Sequence, residues 1–81
     1  MVLFPNPAGP VLNVKLPFHT DRAIQIRVYN SLGQSMINQP FYLSGKDHPA
    51  IPLNIQKLPQ GLYFLKVSGE GYEESRPFTK F

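Results

Sequence analysis

The sequence predicts an all-β protein, an immunoglobulin-like antiparallel β-sandwich of about seven short strands. One observation is the spacing of chain breakers, because nine prolines and six glycines interrupt the sequence too often for most helices. A second is the alternation of apolar and polar residues between these breaks, which is the pattern of a strand with one buried face. The 81 residues fit a single domain, 1–81, with one core, and a small open barrel is the competing architecture.

Strict alternation predicts the first two strands, over residues 11–16 and 23–29. Their apolar faces consist of Leu12, Val14 and Leu16 in the first and Ile24, Ile26 and Val28 in the second. The segment Asn30–Gly33 follows, and it places Asn and Gly where a turn accepts positive φ. Gln34–Gln39 is therefore predicted to return as the second strand of a hairpin.

Prolines mark two of the strands as edge strands. Pro40 ends or flanks the return strand, which residues 41–43 continue weakly before a polar loop over residues 44–49. Ala50–Ile55 is a short strand that contains Pro52, and a proline inside a strand is tolerated at the edge of a sheet. Its apolar face consists of Ile51, Leu53 and Ile55.

The most patterned stretch, LPQGLYFLKVSG, predicts a tight turn followed at once by a strand. Pro59 fixes φ at the second position of the turn Leu58–Gly61, and Gly61 is free to take positive φ. The strand begins directly after this turn, and Tyr63 is expected to anchor it in the core. We expect this stretch to position the strand and to perform no chemistry.

The last two strands are predicted as a hairpin, Leu62–Ser68 and Tyr72–Phe81, joined by a glycine-rich turn. One face of the first strand consists of Tyr63, Leu65 and Val67. Its other face is half apolar because of Leu62 and Phe64, which is the pattern of a central strand covered in part on both sides. The last strand contains Pro77.

Charge and composition argue against several functional classes. The net charge is +3, but the eight basic residues are spread singly along the chain, so a nucleic-acid partner is not expected. No run approaches the roughly 20 apolar residues of a membrane span, and the apolar N-terminal residues are too few for a signal-peptide core. Without cysteine there is no disulfide and no thiolate metal site.

The side chains offer no catalytic or cofactor-binding constellation. His19 and His48 fall in predicted polar loops without further ligands at metal-binding spacing. Glu73 and Glu74 are adjacent on a strand and therefore point to opposite faces. No serine stands in the strand-to-helix turn that exposes a nucleophile. We expect no enzyme activity, no metal and no cofactor, and the aromatic residues are expected to fill the core.

Four motifs in register carry a resemblance to a known family. They are Pro5-Asn6-Pro7, the YNSLG segment that ends at Gly33, the LPQGLY segment with Leu58, Pro59, Gly61 and Tyr63, and Phe78-Thr79-Lys80. Together they resemble the type A C-terminal sorting domain of type IX secretion cargo from Bacteroidetes, over nearly the whole chain. Three positions depart from that family's pattern: Phe4 replaces a tyrosine, Pro77 replaces a basic or β-forming residue, and Phe81 follows the closing lysine.

The resemblance implies a non-catalytic sorting signal at the C-terminus of a larger secreted protein, from which residues 1–81 would be excised. In that family the cargo passes through the periplasm and the outer-membrane translocon recognises the domain. A sortase-like cysteine peptidase at the cell surface removes the domain, and the cargo stays on the outer-membrane surface or is released. Many cargoes of the family are joined to anionic lipopolysaccharide. The scissile bond is expected before or around Met1.

A displayed strand edge is the expected form of the signal. A terminal strand offers unpaired backbone groups that a partner completes by strand addition. Tyr72–Phe81 is the candidate, and Pro77 would remove one donor and thereby limit self-pairing to a monomer or a weak edge-to-edge dimer. The expected translocon-recognition residues are Arg76, Phe78, Thr79, Lys80 and Phe81.

A structural or glycan-binding sandwich module of an extracellular protein is the main alternative. A sorting domain must be the last domain of its protein, after an N-terminal signal peptide, whereas an accessory module is free to stand anywhere in the chain. The position of the domain in its parent protein therefore discriminates between the two functions.

Overall fold

The computed structural model of the protein describes residues 1–17, 23–42, 50–69 and 71–81. Over these residues the chain forms seven strands and no helix. The strands are β1 (Val2–Phe4), β2 (Val11–Lys15), β3 (Ala23–Asn30), β4 (Ser35–Tyr42), β5 (Ile51–Asn54), β6 (Gly61–Gly69) and β7 (Tyr72–Lys80). His19, His48 and the predicted polar loop over residues 44–49 lie outside the described residues.

The strands form two antiparallel sheets that pack as a sandwich. One sheet has three strands in the order β1-β2-β5, and the other has four in the order β4-β3-β6-β7. Every hydrogen-bonded pair of strands runs antiparallel. Strands β3 and β6 are neighbours although two strands separate them in the chain, as in other immunoglobulin-like sandwiches. The predicted fold class is confirmed.

The core lies between the two sheets and consists of the faces that alternation predicts. The buried residues of β2, β3, β5 and β6 are Leu12, Val14, Ile24, Ile26, Val28, Ile51, Leu53, Tyr63, Leu65 and Val67. Full burial of one such aliphatic side chain is worth roughly 1.5–3 kcal/mol relative to leaving it exposed. Because the chain has no cysteine, this packing and the strand ladders carry the stability of the domain.

One strand, β1 (Val2–Phe4), is not predicted by the sequence analysis. Three residues are too few to show an alternation, and the strand forms because its backbone pairs with β2. Pro40 was placed by the sequence either at the end of its strand or at the edge of the sheet. The structure shows the second: Pro40 lies inside β4, an edge strand that continues to Tyr42. Pro52 also lies in an edge strand, β5, as predicted.

The predicted turn between β3 and β4 forms around Asn30. Its side-chain Oδ1 accepts hydrogen bonds from the backbone N–H of Leu32 at 3.0 Å and of Gln34 at 2.9 Å. Gly33 adopts a φ of 80°, which a residue with a Cβ reaches only at a cost. The asparagine and the glycine therefore fix this hairpin together.

The hydrogen-bonded turn before β6 lies three residues earlier than predicted. The Leu58 N–H donates to the Ile55 carbonyl at 3.0 Å, so the turn spans Ile55–Leu58. It forms there because Asn54 Oδ1 accepts a hydrogen bond from the Gln56 N–H at 3.0 Å and starts the turn early. Gly61 nevertheless has the positive φ that was predicted, at 156°.

The prediction that the aromatic residues fill the core is confirmed only in part. Tyr63 and Phe78 are buried, and Phe41 and Tyr72 pack against the core, whereas Tyr42 and Phe64 are 83% and 40% exposed. The reason is the parity of the strand positions. Phe64, for example, stands between two inward residues of β6 and therefore points outward.

Candidate functional site

The candidate site is the C-terminal strand β7, which lies at one edge of the four-stranded sheet. Its inner side pairs with β6, from Gly61 opposite Lys80 to Gly69 opposite Tyr72. The short connection between these two strands makes them antiparallel neighbours, and no further strand follows in the described chain to cover β7. The backbone groups on the outer side of β7 are therefore the ones that another strand could pair with.

The last part of this outer side is covered by Pro5–Ala8, a segment that we call the strap. The Ala8 N–H donates to the Thr79 carbonyl at 2.7 Å, and the Phe81 N–H donates to the Ala8 carbonyl at 2.9 Å. The Asn6 side chain adds a third hydrogen bond, because its Oδ1 accepts from the Thr79 N–H at 3.0 Å. The end of β7 is thus tied to a segment near the start of the chain.

The rest of the outer side, residues 73–77, has no backbone partner among the described residues, and we call it the open edge. Backbone groups alternate in direction along a strand, and those of Thr79 point outward to the strap. Those of Glu73, Ser75 and Pro77 therefore point outward as well. Glu73 and Ser75 each offer an N–H and a carbonyl there, whereas Pro77 offers only a carbonyl. A backbone N–H at position 77 would point outward, away from β6. Its absence in Pro77 therefore leaves the pairing of β7 with β6 intact.

Three of the predicted recognition residues are accessible on the surface. Arg76 and Thr79 are exposed, and Phe81 is 68% exposed. Arg76 is not an isolated charge, because its guanidinium lies 2.8 Å from the Glu74 carboxylate. These side chains surround the open edge and the end of the strand.

The other two predicted recognition residues lie inside the domain. Phe78 is 1% exposed and stacks on Tyr63, with ring centroids 5.6 Å apart. Lys80 is 8% exposed, and its Nζ donates to the Phe81 carbonyl at 2.8 Å. In this arrangement Phe78 and Lys80 hold β7 in place, and their side chains are not accessible on the surface.

A cluster around the Glu74 carboxylate orders the first half of β7. The carboxylate accepts hydrogen bonds from the Tyr72 hydroxyl and from Arg76 Nε, the latter at 2.9 Å. The hydrogen bond from Tyr72, helped by the one from Arg76, holds the pKa of Glu74 below its ordinary value. Burial and the Glu74 hydrogen bond raise the pKa of Tyr72 to about 12.

The LPQGLY motif forms a corner at the start of β6. The Tyr63 hydroxyl donates to the Pro59 carbonyl at 2.6 Å, and Leu58 is buried beneath the same turn. A tyrosine that bonds back to the backbone just before its own strand is the tyrosine corner of immunoglobulin-like sandwiches. The side chain therefore fixes where β6 begins, as predicted for Tyr63.

Strand register brings the four sequence motifs to one end of the sandwich, which we call the motif end. Asn30, beside the turn that contains Gly33, lies opposite Tyr63, and Tyr63 lies opposite Phe78. Gly61 lies opposite Lys80, which in turn bridges to the strap at Ala8. Pro5, Asn6 and Pro7 belong to that strap. The motifs are therefore one connected structural unit that holds the end of β7.

Two features of this region are not identified by the sequence analysis. Ala8 is fully buried against β7, and no periodicity signals a single residue that bridges to a strand so distant in the chain. Leu62 and Phe64 are predicted to be partly covered, and they are 47% and 40% exposed on the outer face of the sheet. Their hydrophobicity is visible in the sequence, but it does not indicate whether another layer of the protein covers them.

The described part of the chain contains no cluster of three or more His, Cys, Asp or Glu side chains placed to hold a metal ion. Within the same residues, no helix is long and apolar enough to cross a membrane. The distinctive features of this end of the domain are therefore backbone groups, a tied terminal strand and exposed apolar side chains.

Comparison with known proteins supports the resemblance. The family model described as secretion system C-terminal sorting domain matches residues 2–79 of the 81. No curated protein matches the chain. The match extends from β1 to the last residues of β7, so it includes the strap, the corner and the open edge.

Proposed function

The chain belongs to the secretion system C-terminal sorting domain family, the signals of type IX secretion, and we propose that it delivers an upstream cargo and is then cleaved off. The cargo is carried from the periplasm through the outer-membrane translocon. A sortase-like cysteine peptidase at the cell surface then removes residues 1–81, by cutting before or around Met1. The domain itself performs no catalysis in this scheme, because the machinery supplies the chemistry.

The observation that carries the proposal is the open edge of β7. An edge strand with outward N–H and carbonyl groups is the surface that strand addition requires. Natural domains usually blunt such edges. Here Pro77 removes only one donor, and Glu73 and Ser75 keep theirs. The edge is therefore protected against extended self-pairing while it still offers a partner several backbone groups.

Side chains around the open edge would supply specificity. A shallow cleft of about 300 Å³ lies beside the edge, and Leu3, Asn6, Arg76 and Pro77 line it. A translocon strand that pairs with residues 73–77 would place alternate side chains against this cleft. Arg76, Thr79 and Phe81 are the accessible members of the recognition set, and Phe78 and Lys80 act by holding the strand that carries them.

Reporter export tests the function directly. A periplasmically targeted fluorescent protein is fused to the N-terminus of the domain and expressed in a host with the type IX translocon and in a matched host without it. We expect surface or medium fluorescence in the first host only. Cleavage is read from the size of the released reporter, with and without the active cysteine peptidase.

A truncation asks which part of the domain is read. Deletion of Lys80 and Phe81 is expected to reduce export strongly while most of the sandwich persists, as judged by circular dichroism and thermal unfolding. Gln56→Ala, on an exposed turn, is the matched control and is expected to export normally. Normal export by the truncated domain would contradict the role of the terminal strand. Equal export in both hosts would contradict the sorting function and favour a structural or glycan-binding module.

A further inference from the structure

The outer face of the four-stranded sheet is apolar at the motif end. Leu62 and Phe64 of β6 are 47% and 40% exposed there, although antiparallel sheets usually place polar residues on a solvated face. The sequence predicts partial cover on this side of β6. No described residue forms a layer above it, because the partner sheet packs on the opposite face.

Strand register makes these side chains one continuous patch. Tyr29 of β3 lies opposite Phe64, and Phe64 lies opposite Pro77 of β7. Leu62 follows on the same face, opposite Thr79. Three neighbouring strands span about 10 Å, so the patch is wide enough to receive a strand or a helix of a partner. We call Tyr29, Leu62, Phe64 and Pro77 the outer patch.

The outer face of the other sheet differs from this arrangement. Val2, Phe4 and Val11 are exposed there, at 57%, 41% and 40%, but the polar residues that lie directly opposite them are Lys15, Asn13 and Asn54. Its apolar side chains are therefore separated, as is ordinary for a protein surface. Val11, which does not line the cleft beside the open edge, provides a control position for the outer patch.

A cation that has no carboxylate partner among the described residues, Arg27, borders the outer patch. Arg27 precedes Tyr29 by two positions on the same face, and its Nε is buried with no hydrogen-bond partner among the described residues. Lys66 lies directly opposite Arg27, but Glu73 pairs with that lysine at 2.9 Å. A buried guanidinium nitrogen without a partner is costly, and an incoming carboxylate would satisfy it.

We propose that the outer patch, with Arg27, is a second docking surface for the type IX machinery, and that it receives a protein segment that carries a carboxylate beside apolar side chains. This proposal rests on the proposed function and adds to it the chemistry of the partner. The patch is continuous with the open edge, because Pro77 belongs to both. One partner can therefore pair with the backbone of β7 and cover the outer patch at the same time.

Two other occupants fit the charges less well. In a symmetric dimer each outer face would meet its own copy, which would bring Arg27 and Lys66 against the same two cations. An anionic membrane or polysaccharide surface is normally met by a cluster of basic residues. Within the described part of the chain, Arg27 is the one unpaired cation beside the four residues of the outer patch, which favours a protein segment with a single carboxylate.

Reporter export with matched variants tests the proposal. The double variant Leu62→Thr, Phe64→Thr removes apolar surface with a residue that suits strands, and Val11→Thr is its control on the other sheet. Arg27→Gln tests the charge separately and keeps a long polar side chain. We expect export to fall about tenfold or more for the outer-patch variants and less than twofold for the control, with thermal midpoints of all purified domains within a few degrees.

The outcomes separate this inference from the proposed function. If the unaltered domain does not export its reporter, the proposed function fails. If the unaltered domain exports and both outer-patch variants export equally well, this inference fails and the proposed function stands. If the double variant unfolds, reporter export by Arg27→Gln alone decides whether this inference holds. Concentration-dependent dimerisation that Leu62→Thr, Phe64→Thr abolishes, or binding of heparin that Arg27→Gln abolishes, would overturn the assignment to a protein partner.

Discussion

Asn6 Oδ1 accepts a hydrogen bond from the backbone N–H of Thr79 at 3.0 Å, although 73 positions separate the two residues in the sequence. The bond satisfies an outward donor of an edge strand near the end of the chain with a side chain from a segment near its start. Together with the two backbone bonds of Ala8, it ends the open edge at residue 77 and sets which part of β7 a partner can pair with.

Removal of this side chain is expected to loosen the end of β7. Asn6→Ala deletes one hydrogen bond on a partly solvated edge, so the free energy of unfolding is expected to fall by about 1 kcal/mol. Amide hydrogen exchange of Thr79 and Phe81 is expected to accelerate, while exchange in the middle of β6 is unchanged. Asn6→Asp keeps an acceptor and is the matched control. Unchanged exchange at Thr79 in Asn6→Ala would show that the strap does not hold the strand through this residue.

Blockage of the open edge is expected to impair export without unfolding the domain. Ser75→Pro removes an outward N–H and leaves the ladder to β6 intact, because Ser75 and Pro77 point the same way. We expect reporter export to fall at least tenfold, whereas Ser75→Ala exports normally. The thermal midpoint of Ser75→Pro measures whether the ladder is kept. Normal export by a folded Ser75→Pro domain would rule out strand addition at this edge.

Loss of the tyrosine corner is expected to destabilise the whole sandwich. Tyr63→Phe removes the hydrogen bond to the Pro59 carbonyl and leaves that acceptor in a partly buried place, at a cost of about 1–2 kcal/mol. Urea unfolding followed by circular dichroism measures this cost. Tyr42→Phe removes a hydroxyl from a side chain that is 83% exposed and is expected to have no effect. Equal stabilities of the two variants would contradict the structural role of the corner.

Alkaline pH is expected to destabilise the domain through Tyr72. Its pKa is raised from 10.0 to about 12 in the folded state, so the folded protein keeps a proton that the unfolded chain releases near pH 10. The stabilisation is fully present below that pH and is lost as the pH rises from 10 through 12. The measurement is the thermal midpoint of the protein and of Tyr72→Phe across this range. The variant is expected to show a smaller decline, and parallel curves would argue against this assignment.

Much of the fold follows from local pattern. The inward faces of β2, β3, β5 and β6 are correct because alternation with period two is visible within a few residues. The hairpin turn at Asn30–Gly33 and the edge positions of Pro40 and Pro52 follow from backbone chemistry that is equally local. The turn before β6 shows the limit, since its hydrogen bond closes Ile55–Leu58, and Asn54, whose side chain bonds to the Gln56 N–H, lies outside the predicted turn.

The candidate site follows from the sequence only in part. The last strand is found from its position after a glycine-rich turn, but the sequence does not tell Phe78, which is 1% exposed, from Phe81, which is 68% exposed. Both are aromatic residues near the end of a strand. The difference arises because Phe78 meets Tyr63 across the ladder, whereas Phe81 lies beyond the end of the strand.

The sequence by itself therefore determined that this protein is a small sandwich of alternating strands, and its motifs carried the resemblance to a sorting domain. Only the tertiary structure decided which backbone groups are open, which aromatic side chains are buried and which apolar face is left uncovered. The physical reason is that burial on one face of a strand is encoded in neighbouring residues. Whether the edge of a sheet is covered, by contrast, depends on contacts between residues far apart in the sequence, such as Asn6 and Thr79. Only the folded chain brings these residues together.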